Sequence, residues 1–91
     1  MAEVEVAAVE RVCSMEAALD TVQEALDLRG EAAFREPAVQ EHLRLLADYL
    51  DSGAWLRDYE LDEAGAFPPD LKRGVLAQDT LYDLLRRVPK E

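Results

Sequence analysis

The residue types that do chemistry are concentrated in two short segments of the second half of the chain. Asp58-Tyr59-Glu60-Leu61-Asp62-Glu63 is the densest run of carboxylates, and Asp70-Leu71-Lys72-Arg73-Gly74 joins two cations to a glycine just after Pro68-Pro69. Closely spaced carboxylates invite calcium. An EF-hand loop starting at Asp58 needs a glycine where Glu63 stands and a bidentate glutamate where Pro69 stands, so that reading fails. Asp58 and Asp62 share a helix face at i, i+4, which leaves a looser divalent site as a minor alternative beside a solvated helix end. The Lys72-Arg73 pair beside Gly74 suits a phosphate or carboxylate, because arginine offers a two-pronged donor and a glycine backbone admits close approach. The same cations would equally neutralise the acidic run within the chain.

No glycine-rich phosphate loop, nucleophile elbow or HExxH stands in the sequence, and His42 and Cys13 are single. The expectation is a chain without a catalytic set, metal or cofactor. His42 reads as a packed or surface histidine, having no partner at ligand spacing.

The elements that position these segments read as helices. Val4 to Leu28 contains no glycine or proline, and Val4, Ala8, Val12, Met15, Leu19, Val22 and Leu26 fall within an arc of about 80° at 100° per residue. This predicts a helix over about 4–29 with a narrow apolar seam, closed by Gly30, with Cys13 off the seam and partly exposed. Glu16, Asp20, Glu24, Asp27 and Glu31 fall on the opposite side, either as a solvated face or as a docking strip for a basic surface. Pro37 opens a second, central helix to about 51, with Val39, Leu43, Leu46 and Leu50 inward and His42, Leu45 and Tyr49 widening the arc to roughly 200°. Ser52 reads as the cap of a third helix over about 53–63, with Trp55, Leu56 and Tyr59 on one face. Residues 66–76 form a stiff connection in which Asp70 caps a single turn ending at Gly74. A last helix over about 78–88 turns Leu81, Leu84, Leu85 and Val88 inward, with Arg86, Arg87 and Lys90 at its C-terminal end. The fold class is therefore all-α: one small bundle of two long antiparallel helices and two shorter C-terminal ones, with Trp55, Tyr59 and Phe67 joining the parts.

With 91 residues, 49% hydrophobic content and one cysteine, the chain is sized for one domain without an internal disulfide. Twenty acidic residues against ten basic ones give a net charge of −10, which argues against direct binding to nucleic acid or an anionic membrane. With no apolar run of membrane-spanning length and no leader pattern, a soluble cytoplasmic protein is expected.

Tyr49, Ser52, Trp55, Asp58-Tyr59-Glu60, Asp62-Glu63, Gly65, Pro68, Asp70-Leu71-Lys72-Arg73-Gly74-Val75-Leu76, Asp79 and Tyr82-Asp83-Leu84-Leu85 together resemble a family of short bacterial domains of unknown function. Its members read approximately YYxSxxWxxDYExDExGxLPxDLKRGVLSEDxLYDLL. The likeness spans residues 49–85. Leu50 and Ala77 depart from it, where a second ring and a serine are usual; alanine cannot cap the last helix, a change of about 0.5–2 kcal/mol. The resemblance implies a stand-alone cytoplasmic bacterial domain with all-helical structure and assigns no reaction.

The function expected is a protein-interaction or regulatory module, with Asp58, Tyr59, Glu60, Asp62, Glu63, Lys72 and Arg73 as its surface and a protein partner, of basic character if the acids lead. Two alternatives stand beside it: an anionic-ligand or enzymatic site at Lys72 and Arg73 with Asp58 or Glu60 as base, and an acidic mimic of DNA. A homodimer through the first helix is open. So is the purely structural alternative, in which these polar residues are a framework that fixes the junction of the short elements.

Overall fold

The computed structural model of the chain describes residues 6–88, apart from the side chain of Gln78. Four α-helices account for most of them: α1 (Val6–Arg29), α2 (Pro37–Asp51), α3 (Ala54–Glu63) and α4 (Gln78–Arg87). No strand occurs among the described residues.

The first helix buries the stripe that its spacing predicts. Ala8, Val12, Leu19, Val22 and Leu26 are buried, Met15 is half-buried, and Ala18 and Ala25 widen the stripe. Val4, at the head of that stripe, lies outside the described residues. Cys13 is exposed. Gly30 ends the helix with φ of +62°, the left-handed conformation that favours glycine after a last turn.

The chain then makes a 3-10 segment, Gly30–Arg35, which the sequence reading does not anticipate. It buries Ala33 and Phe34, and the Arg87 guanidinium lies 6.0 Å from the Phe34 ring centre. Arg29 and Glu36 pair across the segment. Pro37 takes the first position of α2, where its missing N–H costs nothing. Val39, Leu43, Leu46 and Tyr49 face inward, whereas Leu45 is 46% exposed and so leaves the apolar arc expected of it. α2 is central as expected, touching α1, α3 and α4. Asp58 is bonded both by Arg11 near the start of α1 and by Tyr49 near the end of α2, so the two long helices run antiparallel.

The third helix departs from expectation at its start. Gly53, with φ of +85°, is its cap position, and Ser52 instead closes α2 while its Oγ accepts the Ala54 N–H at 3.3 Å. Trp55 and Asp58 form the inward side of α3. That direction places Leu56 about 100° off, and it is 55% exposed rather than sharing the face of Trp55 and Tyr59.

Gly65, with φ of +75°, follows the end of α3, and the Ala66 N–H donates back to the Leu61 carbonyl at 3.0 Å. Ala66 and Phe67 are buried, and the Leu71 N–H closes a turn onto the Pro68 carbonyl. The single turn near Gly74 begins there and runs Gly74–Leu76, burying Val75 and Leu76. Asp70 is therefore not its cap; it stands exposed four residues earlier. In α4, Leu81 and Leu84 are buried and Leu85 half-buried, and Ala77 at its cap position contributes no side-chain bond. Val88 follows the helix in an extended conformation. Lys90 lies outside the described residues.

Candidate functional site

Asp58 is fully buried, and its carboxylate is saturated by residues from two other helices. Arg11 of α1 donates from Nε to Oδ2 at 2.8 Å and from Nη2 to Oδ1 at 2.5 Å, the two-pronged geometry that makes such pairs strong. Tyr49 of α2 donates its hydroxyl to Oδ2 at 2.7 Å. A buried carboxylate without partners would be expensive, so these bonds fix where α3 meets the long helices.

A second set of bonds holds the connection between α3 and α4. The Trp55 indole N–H donates to the Val75 carbonyl at 2.9 Å, and the ring stacks on Tyr59 with centres 5.2 Å apart. Glu16 of α1 accepts the Val75 N–H at 2.8 Å. Val75 thus has both backbone groups tied, one to α3 and one to α1. A Cβ placed on Gly74 would stand 3.1 Å from the Glu16 carboxylate, so a side chain there would press on the group that accepts the Val75 N–H. Arg73 turns inward, donating to the Pro68 carbonyl at 2.7 Å and pairing with Asp62 at 3.5 Å.

The two polar segments are therefore brought together mainly as a framework. Asp58 is withdrawn from solvent and is not part of any accessible surface. Asp62 and Arg73 are half-buried and paired with each other. Tyr59 is half-buried, and the Glu63 carboxylate beside its hydroxyl pushes the phenol pKa up. Glu60, Glu63 and Lys72 are exposed. Because Arg73 is committed to Pro68 and Asp62, it does not join Lys72 in a two-cation cradle for an anion. Asp58 and Asp62 are likewise each engaged by a different guanidinium group, that of Arg11 and that of Arg73. Among the described residues no group of three or more metal-holding side chains occurs. His42 is half-buried, with no hydrogen-bond partner at Nδ1.

The framework leaves a groove of about 480 Å³ between the outer face of α1 and the connection. Its apolar lining comes from Val9, Cys13 and Ala17 on the helix and Pro68 and Leu71 on the connection. Glu16, Asp20, Asp70 and Lys72 supply its charge.

The profile of a family described as a domain of unknown function, DUF4298, matches residues 12–90. The chain belongs to the DUF4298 family. Comparison with curated proteins and with solved structures returns no match.

The DUF4298 match takes in every residue of the framework except Arg11, which lies one residue before it. Arg11 and Glu16 are also the two members that sequence reasoning missed. Helical spacing groups Glu16 with the acids opposite the seam, whereas it bonds a backbone N–H 59 positions away. Arg11 carries no local signal at all, since its partner is 47 positions distant.

Burial first, and then the bond to Asp58, pushes the Tyr49 phenol far above the ordinary tyrosine pKa in this DUF4298 chain. The folded chain keeps a proton that the unfolded chain releases above about pH 10. Stability from this group is complete below that pH and falls as pH rises beyond it, by roughly 1.4 kcal/mol per pH unit. Urea midpoints measured between about pH 8 and 11 should show this decline in the native chain and a shallower one in Tyr49→Phe. Identical slopes would show that the phenol is not its source.

Proposed function

We propose that this chain is a protein-interaction or regulatory module of the bacterial cytoplasm, and that it recognises its partner through the groove between α1 and residues 68–72, flanked by the exposed Lys72. The observation that carries this reading is the fate of the polar motif. Asp58, Trp55 and Glu16 spend hydrogen-bonding groups inside the fold, Arg73 spends its two terminal nitrogens there while its Nε has no partner, and what the set holds in place is one wall of an open, largely apolar groove. Binding needs such a preformed wall, and Asp58, the carboxylate at the centre of the motif, is buried and bonded rather than free to act as a base. The exposed acids Glu60 and Glu63 remain candidates for an outer contact with a basic partner.

A photo-crosslinking residue placed at Leu71 or Ala17 tests the reading in the native host, with the same residue at Leu28 as control. Leu28 is 78% exposed near the far end of α1. A discrete protein captured from the two groove positions and not from position 28 is the expected result. Capture of nothing at the groove, or of the same mixture at all three positions, would count decisively against it.

A further inference from the structure

The charge around the groove is one-sided, and that selects among occupants. Glu16, Asp20 and Asp70 bring three carboxylates to its rim, against the single ammonium of Lys72. Glu16 accepts the Val75 N–H, and no guanidinium reaches Asp20 or Asp70 among the ion pairs of the described residues. A small anion entering here would meet more repulsion than attraction. An apolar group with adjoining positive charge meets the opposite: Val9, Ala17, Pro68 and Leu71 take the apolar part, and the carboxylates face the cations.

Resting on the interaction reading above, we infer that the groove receives a short peptide segment of a partner protein in which an apolar side chain is flanked by lysine or arginine. The anchor enters between Ala17 and Leu71. The flanking cations pair with Asp20 on the helix side and Asp70 on the connection side. Rim charges of this kind set partner choice and encounter rate, whereas the apolar anchor sets residence. Ala17 contributes the space: it is the smallest side chain of the lining and is exposed on the outer face of α1.

The test is selection of a random-sequence peptide library displayed on phage against the full chain, followed by affinity measurements on the enriched peptides. Peptides carrying an apolar residue within a few positions of lysine or arginine are expected, binding more weakly as salt rises. Asp20→Lys and Asp70→Lys are each expected to weaken them by about tenfold, and Ala17→Trp, which fills the groove, to abolish binding. Far-ultraviolet circular dichroism confirms that each variant is folded, and because Asp70 is exposed on the connection, its variant keeps the test decisive if a substitution on α1 disturbs the helix. Acidic or uncharged enriched peptides, binding indifferent to both reversals, or no peptide that depends on Ala17 would each overturn the inference. The interaction reading fails separately, by the absence of a groove-dependent crosslink in the host. A crosslinked partner whose contacting segment lacks basic residues would leave that reading standing and remove this one.

Discussion

Replacing Asp58 with alanine is expected to remove about 3–5 kcal/mol of stability, the range seen when one member of a buried ion pair is deleted. For a domain whose total is on the order of 5–15 kcal/mol, that is enough to bring it close to unfolding at ambient temperature. The magnitude follows from what is left behind. Tyr49 loses the acceptor of its hydroxyl at a buried point, and Arg11, whose side chain is 29% exposed, loses the acceptor of two donors. Asp58→Asn should fall between the two, since an amide oxygen still accepts from Tyr49 but no longer carries the charge that faces Arg11. Glu60→Ala, two residues further along the same motif but exposed, should stay within about 0.5 kcal/mol of the native chain. Urea titrations followed by Trp55 fluorescence would rank the four proteins. An Asp58→Ala midpoint close to that of Glu60→Ala would show that the carboxylate holds nothing together.

Trp55→Ala should cost a similar amount, about 3–5 kcal/mol, by cavity formation and loss of buried area. Trp55→Phe is the more informative change. A phenyl ring keeps much of the packing and can still stack on Tyr59, but it cannot donate to the Val75 carbonyl. The expected loss is about 1–3 kcal/mol, the cost of leaving that carbonyl without its partner. It should be concentrated in the connection that walls the groove. Helical circular dichroism at low temperature should therefore be nearly unchanged in Trp55→Phe, while crosslinking through position 71 is weakened. Full crosslinking with a lowered midpoint would separate the groove from the indole bond and place the wall's support in Glu16 and Arg73 alone.

What could be read from the sequence follows the range of the forces involved. The α1 stripe was legible because helical periodicity repeats along 24 residues, and Gly30 and Pro37 mark their helix ends by local backbone chemistry alone. The Gly30–Arg35 segment was not legible, since after a stop signal nothing in Ala33-Phe34 distinguishes a buried turn from a loop. Helical spacing puts Leu45 and Leu56 beside the apolar arcs of their helices, but the inner faces are set by Tyr49 and Asp58, whose partners lie elsewhere in the chain. The polar motif was visible as a cluster; the direction in which it points was not. Asp58 and Arg73 look identical to surface charges until Arg11, Pro68 and Asp62 are brought to them. Ser52 shows the same limit on a smaller scale, because a hydroxyl beside Gly53 suits the end of one helix as well as the start of the next.

The bonds to Val75 also order events in time. The Arg11–Asp58 bond spans 47 positions and the Glu16–Val75 bond 59, and the expected order is that α3 docks on the α1–α2 hairpin before the Val75 N–H is drawn to Glu16. The entropy of closing a loop grows only with the logarithm of its length, so nearly all of that cost falls on the first closure. Once α3 is seated, only the short span from Asp58 to Val75 remains to be drawn in. The α1–α2 hairpin thus serves as the template, and residues 66–76 zip onto it last. On unfolding they are expected to peel away first, so amide exchange in residues 66–76 should be faster than in α1 and α2, and the wall of the groove would then be the part of the chain with the shortest memory of its native position.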